Sequence, residues 1–220
     1  MAENCIYSYK TSLDNEILLD PSADHWKQSS EKAAITRLWN GKSPVKAAQP
    51  VGAEAASLWK EKALYFFFRC SYEKLFVNRE YPDDRSVEGL WDFDVAEVFL
   101  KPEGAEGYFE YEVSPLSQYL AAHIITPWRN VNFAWESGMS ARAEVEEASN
   151  TWSAVISLPF ENMARAEVFR MPEPGDIWRV NLLLALGAEP ARHYMCWQPT
   201  MTSEPDFHVP DAFGNLLFKD

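Results

Sequence analysis

Basic residues are in short supply. The 220-residue chain sets 20 Lys+Arg against 33 Asp+Glu, a formal charge of −13. Phosphates and anionic headgroups repel such a surface, so neither nucleic acid nor an anionic membrane is an expected partner. Cysteine is scarcer still. Cys5, Cys70 and Cys196 are odd in number, far apart and free of any CxxC pair. That excludes a disulfide framework and a thiolate zinc site, and leaves buried small hydrophobes or free thiols. Apolar stretches such as Leu182–Leu186 fall far short of the ~20 residues that span a bilayer. The opening MAENCIYSYK has neither a basic n-region nor an apolar h-region. As written, the chain is expected in the cytoplasm; removal of a leader would instead place it in the periplasm or outside the cell. Catalytic signatures are missing too: there is no P-loop, GxGxxG, HExxH or GxSxG. His25, His123, His193 and His208 are scattered without metal-ligand spacing. His193 and Met195, two apart on one strand, cannot flank a haem from opposite faces.

Aromatic residues, by contrast, are abundant: nine Trp, nine Tyr and thirteen Phe. They must fill a core or line a site. Short β-rich or alternating runs dominate the chain and predict strands over 63–70, 94–100, 107–113, 119–125, 140–147, 151–158 and 177–186, with the last near 192–197 and 215–219. Their spacing, punctuated by Pro and Gly, is that of an all-β sandwich rather than of βαβ units. Helix is scarce. Pro159 opens a candidate short helix (PFENMARAEVF) that Pro172 and Pro174 close, and 53–60 reads as another turn or two of helix or as a connection. Nothing marks a linker or a repeat, so residues 1–220 are expected to form one domain.

Two long loops, 78–92 and 199–214, carry aromatics, and long ordered loops tend to carry function. Among carboxylates, Glu97 lies on one predicted strand while Glu110 and Glu112 share a face of the next. Paired strands would bring two of them within the reach a glycosidase needs, although a solvated sheet face is the plainer expectation in so acidic a chain. Trp128, Trp135 and Trp152 adjoin predicted strands and are assigned to packing, as is Trp197.

Four segments together resemble the family 9 carbohydrate-binding module and its bacterial stand-alone relatives, DOMON-like β-sandwiches also found beside xylanases. They are ASLWKEKALYFFFRC (56–70), LWDFDVAEVFLKPEG (90–104), GDIWRVNLL (175–183) and CWQPTMTSEPDFHVPDAFGNLLF (196–218). The resemblance spans roughly residues 25–219. It implies a non-catalytic fold whose cleft holds a mono- or oligosaccharide between two aromatic rings. Trp91 matches the first ring, Glu97 the acidic residue that accepts hydrogen bonds from sugar hydroxyls, and Phe207 the second ring, usually Trp. His208, Arg192 and Glu112 are further ligand candidates. The chain departs from the family where Glu112 replaces an Arg and Glu204 an Asn, and Arg192 is only near the place of another family Arg. The family also uses structural Ca²⁺. The loop YPDDRSVEG offers Asp83, Asp84 and Glu88 as oxygen ligands, but without EF-hand spacing the expectation is a solvated turn and no cofactor.

The expectation is therefore an antiparallel, jelly-roll-like two-sheet β-sandwich that binds carbohydrate, with no predicted oligomeric state. Two rivals stand beside it: a glycoside hydrolase working through Glu97 and Glu112, and a protein-interaction module that kept the fold and lost the sugar site.

Overall fold

In a computed structural model, residues 4–29, 31–44 and 51–220 are described. Among them the strands run β1 (Cys5–Lys10), β2 (Ala33–Ile35), β3 (Arg37–Leu38), β4 (Gly52–Lys60), β5 (Ala63–Ser71), β6 (Val95–Lys101), β7 (Tyr108–Val113), β8 (Tyr119–Thr126), β9 (Asn130–Asn132), β10 (Ser140–Glu146), β11 (Thr151–Pro159), β12 (Ile177–Leu186), β13 (His193–Cys196) and β14 (Gly214–Lys219). The helices α1 (Asn15–Leu18), α2 (Asp24–Lys27) and α3 (Phe160–Ala164) are one turn each.

Strands pair in one path, β10-β11-β5-β4-β1-β14-β12-β6-β7-β8-β9, which folds over on itself into two layers. The layers meet through Phe66, Phe68, Trp152 and Ile156 on one side and Val98, Leu100, Phe109 and Leu182 on the other, all buried in a single core. Pairing is antiparallel except at the turn between layers, where β1 runs parallel to both β14 and β4. Side chains alternate across each strand, so every strand of the second layer sends one set of residues to this core and the other set outward.

The predicted strands appear within a residue or two of their expected bounds. Residues 53–60 differ: GAEAASLWK is a full strand, paired along its length with β5. Its alanines favour helix in isolation, but both faces of this layer are covered. Ala55 and Trp59 enter the central core and Ala56 the outer one, so close sheet packing overrides local preference. No element was read before residue 53, yet β1 and the two short helices lie there. Trp26 of α2 lies flat on Phe67, ring centroids 5.4 Å apart and 8° from parallel. With Leu18 it seals the outer face of the first layer over Tyr65 and Val155.

All three cysteines are free, Cys70 and Cys196 being buried and Cys5 half-buried. No described helix is long and apolar enough to cross a membrane.

Candidate functional site

The outer face of the second layer is different. Register places Glu97 of β6 directly opposite Glu112 of β7 and Phe99 opposite Glu110, with Leu183 of β12 beside Glu97 and Leu120 and Ala122 of β8 beside the two glutamates of β7. Because pleat and register both have period two, three carboxylates land on one patch of sheet. Their oxygens lie within 4.8 Å of one another. The surroundings are Val95, Phe99, Tyr108, Leu120 and Leu183, all buried. A solvated sheet face is thereby corrected: Glu97, Glu110 and Glu112 are buried, Glu112 completely at 0% exposure.

Loops from four places rise around this patch and enclose a cavity of about 470 Å³. The loop before β6 supplies Trp91 and Asp92, the β8–β9 turn Trp128 and Arg129, the strand β13 Tyr194, and the segment before β14 Phe207 and His208; Glu97 and Glu110 form the floor. Both long loops singled out in the sequence thus contribute walls. The volume is that of an ordinary small-ligand site.

Trp91 stands on a short 3₁₀ turn, Leu90–Asp92, entered through Gly89 at φ 87°, a left-handed value that a side chain would strain. Its indole is 37% exposed and tilts over Phe133 at 5.8 Å. Arg192 fixes this turn. Its guanidinium donates to the carbonyls of Trp91 (2.8 Å), Asp92 (3.0 Å), Phe93 (2.5 Å) and Gly187 (2.6 Å) and lies over the Tyr194 ring. Arg192 is therefore corrected from a ligand contact to a positioning residue, because its two terminal nitrogens bond backbone carbonyls and it does not line the cavity. Asp94, buried beside it, accepts from the Phe76 and Gly187 amides and ties the same loops together.

His208 is packed from three sides, edge-on to Trp128 at 4.4 Å, tilted on Phe99 at 4.9 Å and sharing a 2.6 Å hydrogen bond between Nδ1 and the Tyr108 hydroxyl. Burial pushes its pKa down to about 4, so the ring is neutral at physiological pH. Phe207 meets Tyr194 edge-on at 6.1 Å. Close behind, Trp197 covers Gly214, where a Cβ would come within 2.5 Å of the indole.

The electrostatics of the floor follow from its apolar setting. Burial, then the neighbouring carboxyls, holds Glu97 and Glu112 well above the usual carboxylate range. Burial brings Glu110 up to about 7. Among the described residues no N–H or alcohol O–H donates to either oxygen of Glu112, whereas the Glu110 carboxyl is close enough to share a proton with it. Like charges this close cannot all ionise, so the triad holds protons at neutral pH.

Trp91, Glu97, Phe207 and His208 all line one cavity, as a ligand site would require. Glu112 is corrected to a place behind the floor, within reach of Glu97 and Glu110 but not lining the cavity, because Leu120 and the neighbouring strand residues cover it. Glu204 is exposed and outside the lining. Trp128, assigned to packing, is corrected outright: it is 70% exposed, sits at φ 62° and forms a wall. A bulky residue held in the left-handed region is uncommon and marks a position fixed by its surroundings. The available signal was its place in TPWRN, a turn sequence between strands rather than a strand. Glu110, weighed as a partner of Glu97 in a carboxylate pair or as part of a solvated face, proves to be a floor residue.

The Ca²⁺ donors read from the sequence do not fit. Among the described residues Asp83, Asp84 and Glu88 form no converging oxygen set, and Asp84 pairs at 3.6 Å with its exposed neighbour Arg85.

A β-sandwich with an aromatic-walled, carboxylate-floored cleft on one outer face belongs to the class of small-ligand binding folds. The sequence profile of carbohydrate-binding family 9 matches residues 60–218, and the chain belongs to that family. Its fold is shared with a protein from Bacteroides uniformis described as a candidate carbohydrate-binding protein (TM-score 0.72, 16% identity, 98% of this chain and 99% of the other). It is shared also with a family 9 module from Caldicellulosiruptor kristjanssonii solved with glucose (0.64, 15%, 98% and 95%) and with cellotriose (0.65, 14%, 98% and 93%). In sequence, the chain is 27% identical over 144 residues to the UPF0462 protein C4orf33 homolog of Danio rerio (63% of this chain, 66% of that protein). It is 24% identical over 135 residues to the human UPF0462 protein C4orf33 (59% and 61%). The matches span just under two thirds of the length of these curated relatives.

Proposed function

We propose that the chain binds a carbohydrate without transforming it, holding a sugar unit in the cleft between Trp91, Trp128 and Phe207 while Glu97 and Glu110 accept hydrogen bonds from its hydroxyls. The observation that carries this reading is the combination of aromatic walls and buried carboxylate acceptors in one cavity of about 470 Å³. Pyranose C–H faces pack on aromatic rings, and their hydroxyls need polar partners in the same pocket. Family membership and the glucose and cellotriose complexes of a module with the same fold support it. Arg192 and Glu112 serve the site from behind, one by fixing Trp91, the other by setting the charge of the floor.

The test is calorimetric titration of wild type and Trp91→Ala with glucose, galactose, cellobiose, xylobiose and their amino-sugar counterparts. Expected is micromolar to millimolar binding, about −4 to −8 kcal/mol, that disappears in the variant. A folded protein giving no heat with any sugar would refute the reading. Turnover of a chromogenic glycoside, lost in Glu97→Gln, would replace binding by catalysis.

A further inference from the structure

The acids and bases around the cleft are unbalanced. Among the described residues Asp92, Glu97, Glu110 and Asp206 line it against one cation, Arg129, which is exposed at the rim. His208 adds no charge, being neutral. Arg192, whose charge opposes the upward shift of Glu97 and Glu112, has committed its two terminal guanidinium nitrogens to four backbone carbonyls and does not line the cleft. Beneath the floor Glu112 is fully buried, and among the described residues no N–H or neutral hydroxyl donates to either of its oxygens, its neighbours there being the carboxyls of Glu97 and Glu110. Among the described residues the one cation whose charge reaches the triad is Arg192, and three carboxyls outnumber it.

We propose, building on the carbohydrate-binding reading, that the cleft selects a sugar bearing a protonated amine, its ammonium group seated on Glu97 and Glu110 and flanked by the rings of Phe99 and Trp128. An ammonium carries three donors that carboxylate oxygens accept, and its charge is favoured over aromatic faces. It suits the site better than a divalent cation does. Ca²⁺ calls for six to eight oxygen ligands, while the cavity walls above the floor present mostly aromatic rings. Uptake of the ammonium lets the triad give up the proton it holds in the empty state, so binding of the amino sugar releases a proton to solvent and binding of the neutral sugar does not.

The experiment compares glucosamine, glucose and N-acetylglucosamine on the full chain at about pH 6.5, where the free amine is protonated. Titrations are run in two buffers of different ionisation enthalpy, with a parallel titration of calcium chloride alone. Glucosamine is expected to bind about tenfold or more tighter than glucose, with proton release. Acetylation should erase the preference, and Glu110→Gln should bring glucosamine down to the level of glucose. Glucose binding as tight as glucosamine overturns the ammonium site and leaves the sugar reading intact. Silence from every sugar overturns both. Calcium binding that blocks glucosamine and is lost in Glu110→Gln would make the triad a metal site and likewise overturn it.

Discussion

The sandwich has two outer faces, built by the same alternation of side chains, and they have opposite fates. On the first layer Ala56, Tyr65, Phe67 and Val155 point outward and are sealed by Leu18 and Trp26 from two single-turn helices. On the second, Glu97, Glu110 and Glu112 point outward among Phe99, Tyr108 and Leu183, and loops arch over them without filling the space. A flat indole laid on a phenylalanine makes a core; indoles and phenyl rings held around acids make a cleft. The comparison teaches that what the covering segments bring, rather than the sheet itself, decides whether an outer face becomes structure or site.

The contrast can be broken from the sealed side first. Trp26→Ala should cost about 3–5 kcal/mol in urea denaturation by emptying the space over Phe67. Sugar affinity of the folded fraction should not change, since Trp26 lies on the opposite layer; a loss of affinity would show the two faces to be coupled. A smaller effect is expected from Arg192→Ala, which strips four carbonyls of their donor and should lower stability by about 1–3 kcal/mol while weakening the ligand through a displaced Trp91. Unchanged affinity in that variant would sever Arg192 from the site.

The acidic floor should reveal itself in the pH dependence of stability. Glu97, Glu110 and Glu112 have folded-state pKa values above those of the unfolded chain, so the folded protein holds more protons. Stability is then fully present below the ordinary glutamate range and falls as pH rises through about 7 for Glu110, with Glu97 and Glu112 acting in the same direction. Tm measured between pH 5 and 9 should decline in the wild type, and Glu112→Gln should flatten the decline. A profile that rises with pH would mean the triad is ionised and paired in solution. The smallest effect expected is for Trp128→Gly, which relieves the left-handed backbone at φ 62° and should add about 1 kcal/mol of stability while loosening the ligand.

Much of this was legible in the chain. Alternating runs such as DVAEVFL and GYFEYEV gave the strands, because a period of two is a local property. Trp91, Glu97 and Phe207 stand out through the resemblance to family 9 modules, and His208 through its place beside Phe207 in a Pro-flanked loop. Trp128 was read as packing because adjacency to a strand says nothing about backbone conformation. Arg192 reads as a ligand contact from sequence because three of its four carbonyl partners, those of Trp91, Asp92 and Phe93, lie about a hundred residues away. Residues 53–60 were read as helix or connection because alanine's local preference is expressed only when no sheet overrules it.

By itself, then, the sequence determined the strands from residue 63 onward apart from β9, the sandwich and the aromatic wealth of two loops, all consequences of nearest-neighbour patterning. Only the tertiary structure decided that Glu97, Glu110 and Glu112 share one buried patch. That required the register of β6 against β7 and the loops that exclude water from it. Register and cover are set by contacts between distant segments, and no single stretch of chain encodes them.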